Sequence, residues 1–105
     1  MTGRSTKCYS LGMVRRLVQE GRYSLTRRAL RYITAQSWDS DRVAECLCNL
    51  KTSDLHKSVP DPLRFGSRLD TYRPRRGAQR LYIKFTLDED GDLYVLSFCR
   101  DGESH

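Results

Sequence analysis

The segment QRLYIKFTL, Gln79–Leu87, decides which fold this sequence can adopt. Because side chains alternate between the two faces of a β-strand, a strand here has one apolar face and one cationic face. The apolar face consists of Leu81, Ile83, Phe85 and Leu87, and the other face of Arg80, Tyr82, Lys84 and Thr86. The apolar face predicts burial in a core. Folding does not require two cations around a phenol on the opposite face, so that face is a candidate functional surface.

Two further strands are predicted beside this segment. Residues 69–75 and 93–100 alternate between apolar and polar side chains. The connections, RRGA and DEDGD, are short and each contains a glycine, which is typical of hairpin turns. We therefore expect an antiparallel meander in the second half of the chain. Pro74 cannot donate to a strand ladder, so it should lie at a strand end, a bulge or a sheet edge.

The first half of the chain has helical periodicity. Apolar residues three and four apart predict helices over residues 10–20, from Ser24 or Thr26 to about Gln36, and over residues 41–50. A short helical turn is predicted for TSDLHKS, residues 52–58, with Pro60 and Pro62 ending it. Helices followed by an antiparallel sheet predict an α+β, two-layer domain in which the N-terminal helices pack on the C-terminal sheet.

Length and charge narrow the class of protein. A chain of 105 residues predicts one domain, residues 1–105, in which residues 1–9 and 101–105 are expected to be flexible. The net charge is +6, and residues 1–87 hold 18 of the 19 basic groups but only 7 of the 13 acidic ones. So basic a body attracts polyanions, of which nucleic acids are the commonest in a cell. Solubility is the alternative explanation of net charge.

Cysteine spacing and apolar runs exclude several classes of protein. The four cysteines, at positions 8, 46, 48 and 99, lack paired C-x-x-C spacing. Cys46 and Cys48 would point about 200° apart on a helix, so we expect reduced thiols, no metal site and no cofactor. No apolar run approaches the roughly 18–20 residues of a membrane span, and no hydrophobic signal block is present. These features predict a cytoplasmic protein without a membrane partner.

The segment SDLHKS, residues 53–58, is the first candidate for chemistry. His56 could move a proton near neutral pH, and Lys57 could hold a phosphate or stabilise charge on it. An ordinary solvated turn is the alternative interpretation of the same residues.

The segment YRPR and the cationic strand face are the second and third candidates. Arg73 and Arg75 are expected on one face, where two guanidinium groups could clamp phosphates, although a charged edge strand would look the same. Tyr82, between Arg80 and Lys84, could stack on an unpaired base or donate a proton. A tyrosine on a solvent face is otherwise simply good strand chemistry.

These residue types suit cleavage of RNA by its own 2′-OH. That hydroxyl attacks the adjacent phosphorus while a base removes its proton, cations stabilise the oxyanion and an acid protonates the departing 5′ oxygen. DNA lacks the 2′-OH, so such a site would act on RNA alone. Which of His56, Lys57 and Tyr82 would be base and which acid stays open.

The order of the motifs resembles that of a known family. A T-R-R-A-L helix, then S-D-L-H-K-S, D-T-Y-R-P-R, L-Y-I-K and a final L-S-F strand resemble the MqsR family of type II toxin–antitoxin systems over most of residues 10–100. The resemblance implies a RelE-like fold and a toxin that cuts mRNA at short GC-containing sequences and inhibits translation. It also implies a separately encoded antitoxin as partner, and the ribosome is a further candidate partner.

Carried over by position, the resemblance implies that Lys57 and Tyr82 are catalytic, and His56 is a third catalytic candidate. A functional glutamine and a functional lysine of the family fall on Leu69 and Cys99, which implies either a rebuilt site or a weaker activity. The nearest cations, Arg68 and Arg100, each lie one residue away from these positions. A shift by one residue in a strand turns a side chain to the opposite face of the sheet. The expected phosphate-binding residues are Arg68, Arg73, Arg75, Arg80, Lys84 and Arg100.

Two other classes of function are consistent with the same residues. One is a non-catalytic RNA-binding or ribosome-associated module that uses the cationic face. The other is an interaction protein whose sheet edge pairs with a partner chain. RNA binding without cleavage would distinguish the RNA-binding module from a nuclease. Weak, nearly sequence-independent RNA affinity would favour the interaction protein.

Overall fold

The computed structural model describes residues 8–101, which form three α-helices and a six-stranded sheet. The helices are α1 (Leu11–Gln19), α2 (Arg27–Ala35) and α3 (Ser40–Cys48). The strands are β1 (Tyr23–Leu25), β2 (Leu55–Pro60), β3 (Arg68–Tyr72), β4 (Arg75–Arg76), β5 (Gln79–Leu87) and β6 (Leu93–Arg100). The predicted α+β class is confirmed.

The three helices begin where capping residues allow them to begin. The side chains of Ser10 and Thr26 accept hydrogen bonds from backbone N–H groups three residues later, at 3.3 and 3.2 Å. Asp39 does the same for α3 at 2.8 Å. These oxygens satisfy N–H groups that have no partner within the helix, which is why such residues are common at helix starts. The three predicted helices are confirmed.

The sheet has the strand order β1-β6-β5-β3-β2, and β4 pairs with β5 beside this series. The predicted antiparallel meander of β3, β5 and β6 is confirmed, and β5 and β6 have the predicted bounds. Strand β1, which lies parallel to β6, was not predicted. Three residues are too few to show an alternating pattern.

The helical turn predicted for residues 52–58 is wrong beyond its first half. Only Thr52–Asp54 is helical, as a 3-10 turn, and the chain then continues as β2, antiparallel to β3. A β-bulge between Leu55 and Lys57 interrupts the alternation of side chains, so the strand pattern is hidden in the sequence. Pro60 is the last residue of this edge strand, where a missing N–H is tolerated.

The strand predicted over residues 69–75 is divided in two. β3 ends at Tyr72 and β4 begins at Arg75, so Pro74 lies between strand ends, as predicted. The carbonyl of Pro74 accepts a hydrogen bond from the N–H of Leu81 at 2.8 Å. The chain therefore stays next to β5 although the ladder is interrupted.

The core lies against the apolar face of β5, as predicted. Leu81, Ile83 and Phe85 are completely buried. The ring of Phe85 stacks on that of Tyr72 with centroids 5.6 Å apart, and burial raises the pKa of the Tyr72 hydroxyl. Helix α2 contacts β6, where the rings of Tyr32 and Trp38 lie 6.5 and 5.6 Å from that of Phe98.

Hydrogen bonds hold residues near both ends of the described range. The N–H of Tyr9 donates to Asp70 at 2.8 Å, and the N–H of Asp101 donates to the carbonyl of Arg80 at 2.7 Å. Most of the segments expected to be flexible, residues 1–7 and 102–105, lie outside the described residues.

Candidate active site

A row of residues crosses four strands on one face of the sheet. Lys57 on β2 is opposite Thr71 on β3, which is opposite Lys84 on β5, which is opposite Ser97 on β6. Directly opposed residues share a face. Two strand spacings separate the lysines, so their Cα atoms lie about 10 Å apart. Both ammonium groups can therefore reach one group placed above Thr71.

The cationic side chains of β5 extend this row along the same face. Tyr82 precedes Lys84 by two residues, a distance of about 7 Å, and Arg80 precedes Tyr82 by two more. Arg75 on β4 is directly opposite Arg80. We call these five residues, Lys57, Arg75, Arg80, Tyr82 and Lys84, the cationic face.

The pair formed by Arg75 and Arg80 is unfavourable for folding. Like charges directly opposite each other destabilise a sheet, and both side chains are exposed. Among residues 8–101 neither guanidinium forms a salt bridge. An anion bound between them would relieve this repulsion.

His56 lies beside Lys57 as the extra residue of the bulge in β2. Lys57 is directly opposite Thr71, the shift in register falls at His56, and both side chains are exposed. Bulges redirect side chains and are common next to active sites. The structure therefore brings the three catalytic candidates to one sheet, with His56 and Lys57 on β2 and Tyr82 on β5, and β3 lies between these two strands.

Among the expected phosphate-binding arginines, Arg68 and Arg100 lie away from the cationic face, whereas the carbonyl of Arg73 accepts a hydrogen bond from the guanidinium of Arg80 at 3.3 Å. Arg73 donates two hydrogen bonds to Asp101, at 2.6 and 2.9 Å. Arg68 is three residues from Thr71 on β3, so it falls on the other face, and its guanidinium donates to Ser58 at 2.9 Å. Arg100 is opposite Leu81 rather than Tyr82. The structure does not group these arginines with the two lysines.

A buried polar network fastens β2 to β3 next to Lys57. The carboxylate of Asp70, which is fully buried, accepts hydrogen bonds from the Ser58 hydroxyl and from the N–H of Tyr9. The Ser58 hydroxyl in turn accepts a hydrogen bond from Arg68. Neither Ser58 nor Asp70 was among the predicted site residues. The available signal was an aspartate at an inward position of β3, on the same face as Tyr72.

The two positions where the family's functional residues are replaced also lie on this side of the sheet. Cys99 is directly opposite Tyr82 and nearly buried. Leu69 is two residues from Thr71 on β3. The side chains near Tyr82 and Thr71 therefore include a thiol and an apolar group.

Residues 8–101 lack a metal-binding cluster, a disulfide and a membrane-spanning helix. No group of three or more His, Cys, Asp or Glu side chains lies close enough together to hold a metal ion. No disulfide joins the four cysteines, and burial raises the pKa of the Cys46 thiol to about 11. No helix in this part of the chain is long and apolar enough to cross a bilayer.

Comparison with known proteins identifies the family to which this chain belongs. Residues 6–100 match the model of a family described as "Motility quorum-sensing regulator, toxin of MqsA". The chain belongs to the MqsR toxin family. The mRNA interferase toxin MqsR of Escherichia coli (strain K12) is 31% identical over 88 residues, which cover 84% of this chain and 88% of that protein. The resemblance seen in the motifs is thereby confirmed, and the span that matches the MqsR family includes the whole cationic face.

Proposed function

We propose that this chain is the toxin of a type II toxin–antitoxin pair and acts as a metal-independent, sequence-preferring mRNA endoribonuclease that inhibits translation. The observation that carries the proposal is the placement of Lys57, Tyr82 and Lys84 on one sheet face in a member of the MqsR family. The related E. coli protein is named as an mRNA interferase toxin. The proposed architecture is RelE-like, with the helices on one side of the sheet and RNA on the other.

In this proposal the scissile phosphate lies above Thr71, between the two lysines. Their ammonium groups stabilise the negative charge that develops on the phosphate oxygens. Arg75 and Arg80 hold a neighbouring phosphate of the same strand, which orients the RNA along β5.

Proton transfer is assigned to the side chains beside the lysines. Tyr82 and His56 exchange the protons of the 2′-OH and of the departing 5′ oxygen. The new bond joins the 2′ oxygen to phosphorus and the bond to the 5′ oxygen breaks. The products are a 2′,3′-cyclic phosphate and a 5′-hydroxyl, and no step requires a metal ion.

The proposed partners follow from the family. The family description names the toxin together with MqsA, so we propose a cognate antitoxin as the protein partner and mRNA as the substrate. Action on mRNA would take place in the cytoplasm, with the ribosome as a further partner if translating messages are cut.

The test is incubation of the purified protein with a mixed single-stranded RNA in EDTA. We expect cuts at a recurring short sequence, with 2′,3′-cyclic phosphate ends. Tyr82→Phe and Lys57→Ala should each reduce the cleavage rate by about 100-fold or more. Matched controls are Tyr23→Phe, on the opposite face of the sheet at β1, and Lys51→Ala, on the exposed segment before β2.

The outcomes separate the candidate functions. Retained cleavage in both Tyr82→Phe and Lys57→Ala would reject these catalytic assignments. RNA that is bound but never cut by the unmodified protein would favour the non-catalytic RNA-binding or ribosome-associated module instead.

A further inference from the structure

The cationic face continues into an apolar groove on the same side of the sheet. The groove has a volume of about 420 Å³, and its sheet side is formed by Leu69, Thr86, Tyr94 and Leu96. Leu69 is two residues from Thr71 along β3, and Thr86 is two residues from Lys84 along β5. Each separation is about 7 Å. The groove thus begins one row of side chains beyond the two lysines.

The opposite wall of the groove is formed by the loop between β2 and β3. Asp61, Pro62, Leu63 and Arg64 line it. The N–H of Asp61 donates to the carbonyl of Ser67 at 2.9 Å, and the guanidinium of Arg64 donates to the carbonyl of Leu87 at 2.6 Å. The first bond closes the loop on itself and the second holds it against the end of β5, so a ligand would meet an already formed wall and lose less free energy to ordering.

The two halves of this sheet face have complementary chemistry. One half carries exposed cations, and the other is apolar with the ring of Tyr94 at its side. Asp88 and Glu89 at the groove disfavour a phosphate there. A nucleotide has the same division, since its phosphate is charged while its base has a flat face that stacks on aromatic and apolar side chains.

We propose that the groove binds an unpaired nucleobase of the RNA strand whose phosphate lies between Lys57 and Lys84, with Tyr94 as the stacking residue. This inference rests on the proposed function, because it takes the strand on the cationic face to be RNA. The groove, rather than the cations, would then contribute to the choice of cleavage sequence, since phosphate contacts carry no sequence information.

The test measures binding without cleavage. The probe is a short single-stranded 2′-O-methyl oligoribonucleotide of mixed sequence, which lacks the nucleophilic hydroxyl, and its partner is the same backbone without bases. We expect the unmodified protein to bind the base-bearing oligonucleotide at least about fivefold more tightly than the abasic one.

Two variants and one control locate this difference in the groove. Tyr94→Thr removes the ring but keeps a strand-forming residue, and Leu63→Asp places a charge on a wall residue that is 89% exposed and so has no packing to lose. In both variants the ratio of the affinity for the base-bearing oligonucleotide to that for the abasic one should fall close to one. Phe65→Thr, which changes a fully exposed ring outside the groove lining, should leave the ratio unchanged.

Each outcome decides the proposal. A ratio near one in the unmodified protein, or an unchanged ratio in both groove variants, would overturn it. Loss of antitoxin binding by Leu63→Asp with an unchanged ratio would make the groove a protein-docking site instead. Base-dependent binding without any cleavage of unmodified RNA would reject the proposed nuclease but keep the base site.

Discussion

Replacing Ser58 by alanine should lower the free energy of unfolding by about 2 kcal/mol. The Ser58 hydroxyl donates to the carboxylate of Asp70, whose exposed fraction is zero, and accepts a hydrogen bond of 2.9 Å from Arg68. Alanine removes both bonds and adds no new partner. A buried carboxylate that loses a hydrogen-bond donor cannot replace it with water, so the substitution destabilises the folded state relative to the unfolded state.

The size of this loss follows from the two hydrogen bonds of the Ser58 hydroxyl, taken one at a time. A hydrogen bond to a charged group contributes about 1.5–3 kcal/mol. Asp70 retains its bond from the N–H of Tyr9 at 2.8 Å, which keeps the loss towards the lower half of that range. Arg68 is only partly buried and keeps its bond to the carbonyl of Ser58, so its lost bond to the hydroxyl is largely replaced by water.

Urea unfolding followed by the fluorescence of Trp38 measures this change. Trp38 is the one tryptophan of the sequence, and its ring contacts Phe98 in the core. A loss of about 2 kcal/mol should lower the urea midpoint by roughly 0.7–2 M. The matched control is Ser53→Ala, at an exposed serine just before β2, which should change stability by less than about 0.5 kcal/mol.

The same substitution also bears on activity. Ser58 is adjacent to Lys57 on an edge strand, so a weaker bond between β2 and β3 should reduce RNA cleavage under conditions where the protein remains folded. If Ser58→Ala were as stable and as active as Ser53→Ala, the reasoning that the Asp70 network holds β2 in place would be refuted.

Two further predictions concern pH and salt. Burial raises the pKa of the Cys46 thiol from 9.0 to about 11, so the folded state holds this proton more tightly than the unfolded state. The contribution of this thiol to the free energy of unfolding is full below about pH 9 and is lost as the pH rises towards 11. Cys46→Ala should therefore flatten the dependence of the urea midpoint on pH between 8 and 11. An unchanged slope would contradict this. Arg75→Ala should reduce the slope of log affinity for single-stranded RNA against log salt by about 0.7, whereas Arg73→Ala should not, because Arg73 is paired with Asp101. An equal reduction in both variants would show that Arg73 also contacts phosphate.

The helices and the long strands were predictable because their signals are local. Caps at Ser10, Thr26 and Asp39 act on N–H groups three residues away, and apolar spacing of three or four residues describes a single helix. In β5, strict alternation separated Leu81, Ile83 and Phe85 from the cationic residues. The sequence therefore determined the class of the fold, the buried face of β5 and the cationic character of its other face.

The composition of the candidate site was decided by tertiary structure. Only pairing with β3 makes residues 55–60 a strand, since a bulge hides the alternation there, and that pairing brings Lys57 into one row with Lys84. The break between β3 and β4 separates Arg73 from Arg75, and an odd offset along β3 turns Arg68 to the opposite face from Thr71. The reason is physical: strand pairing joins residues distant in sequence through backbone hydrogen bonds, and side-chain identity scarcely records which backbone groups will meet.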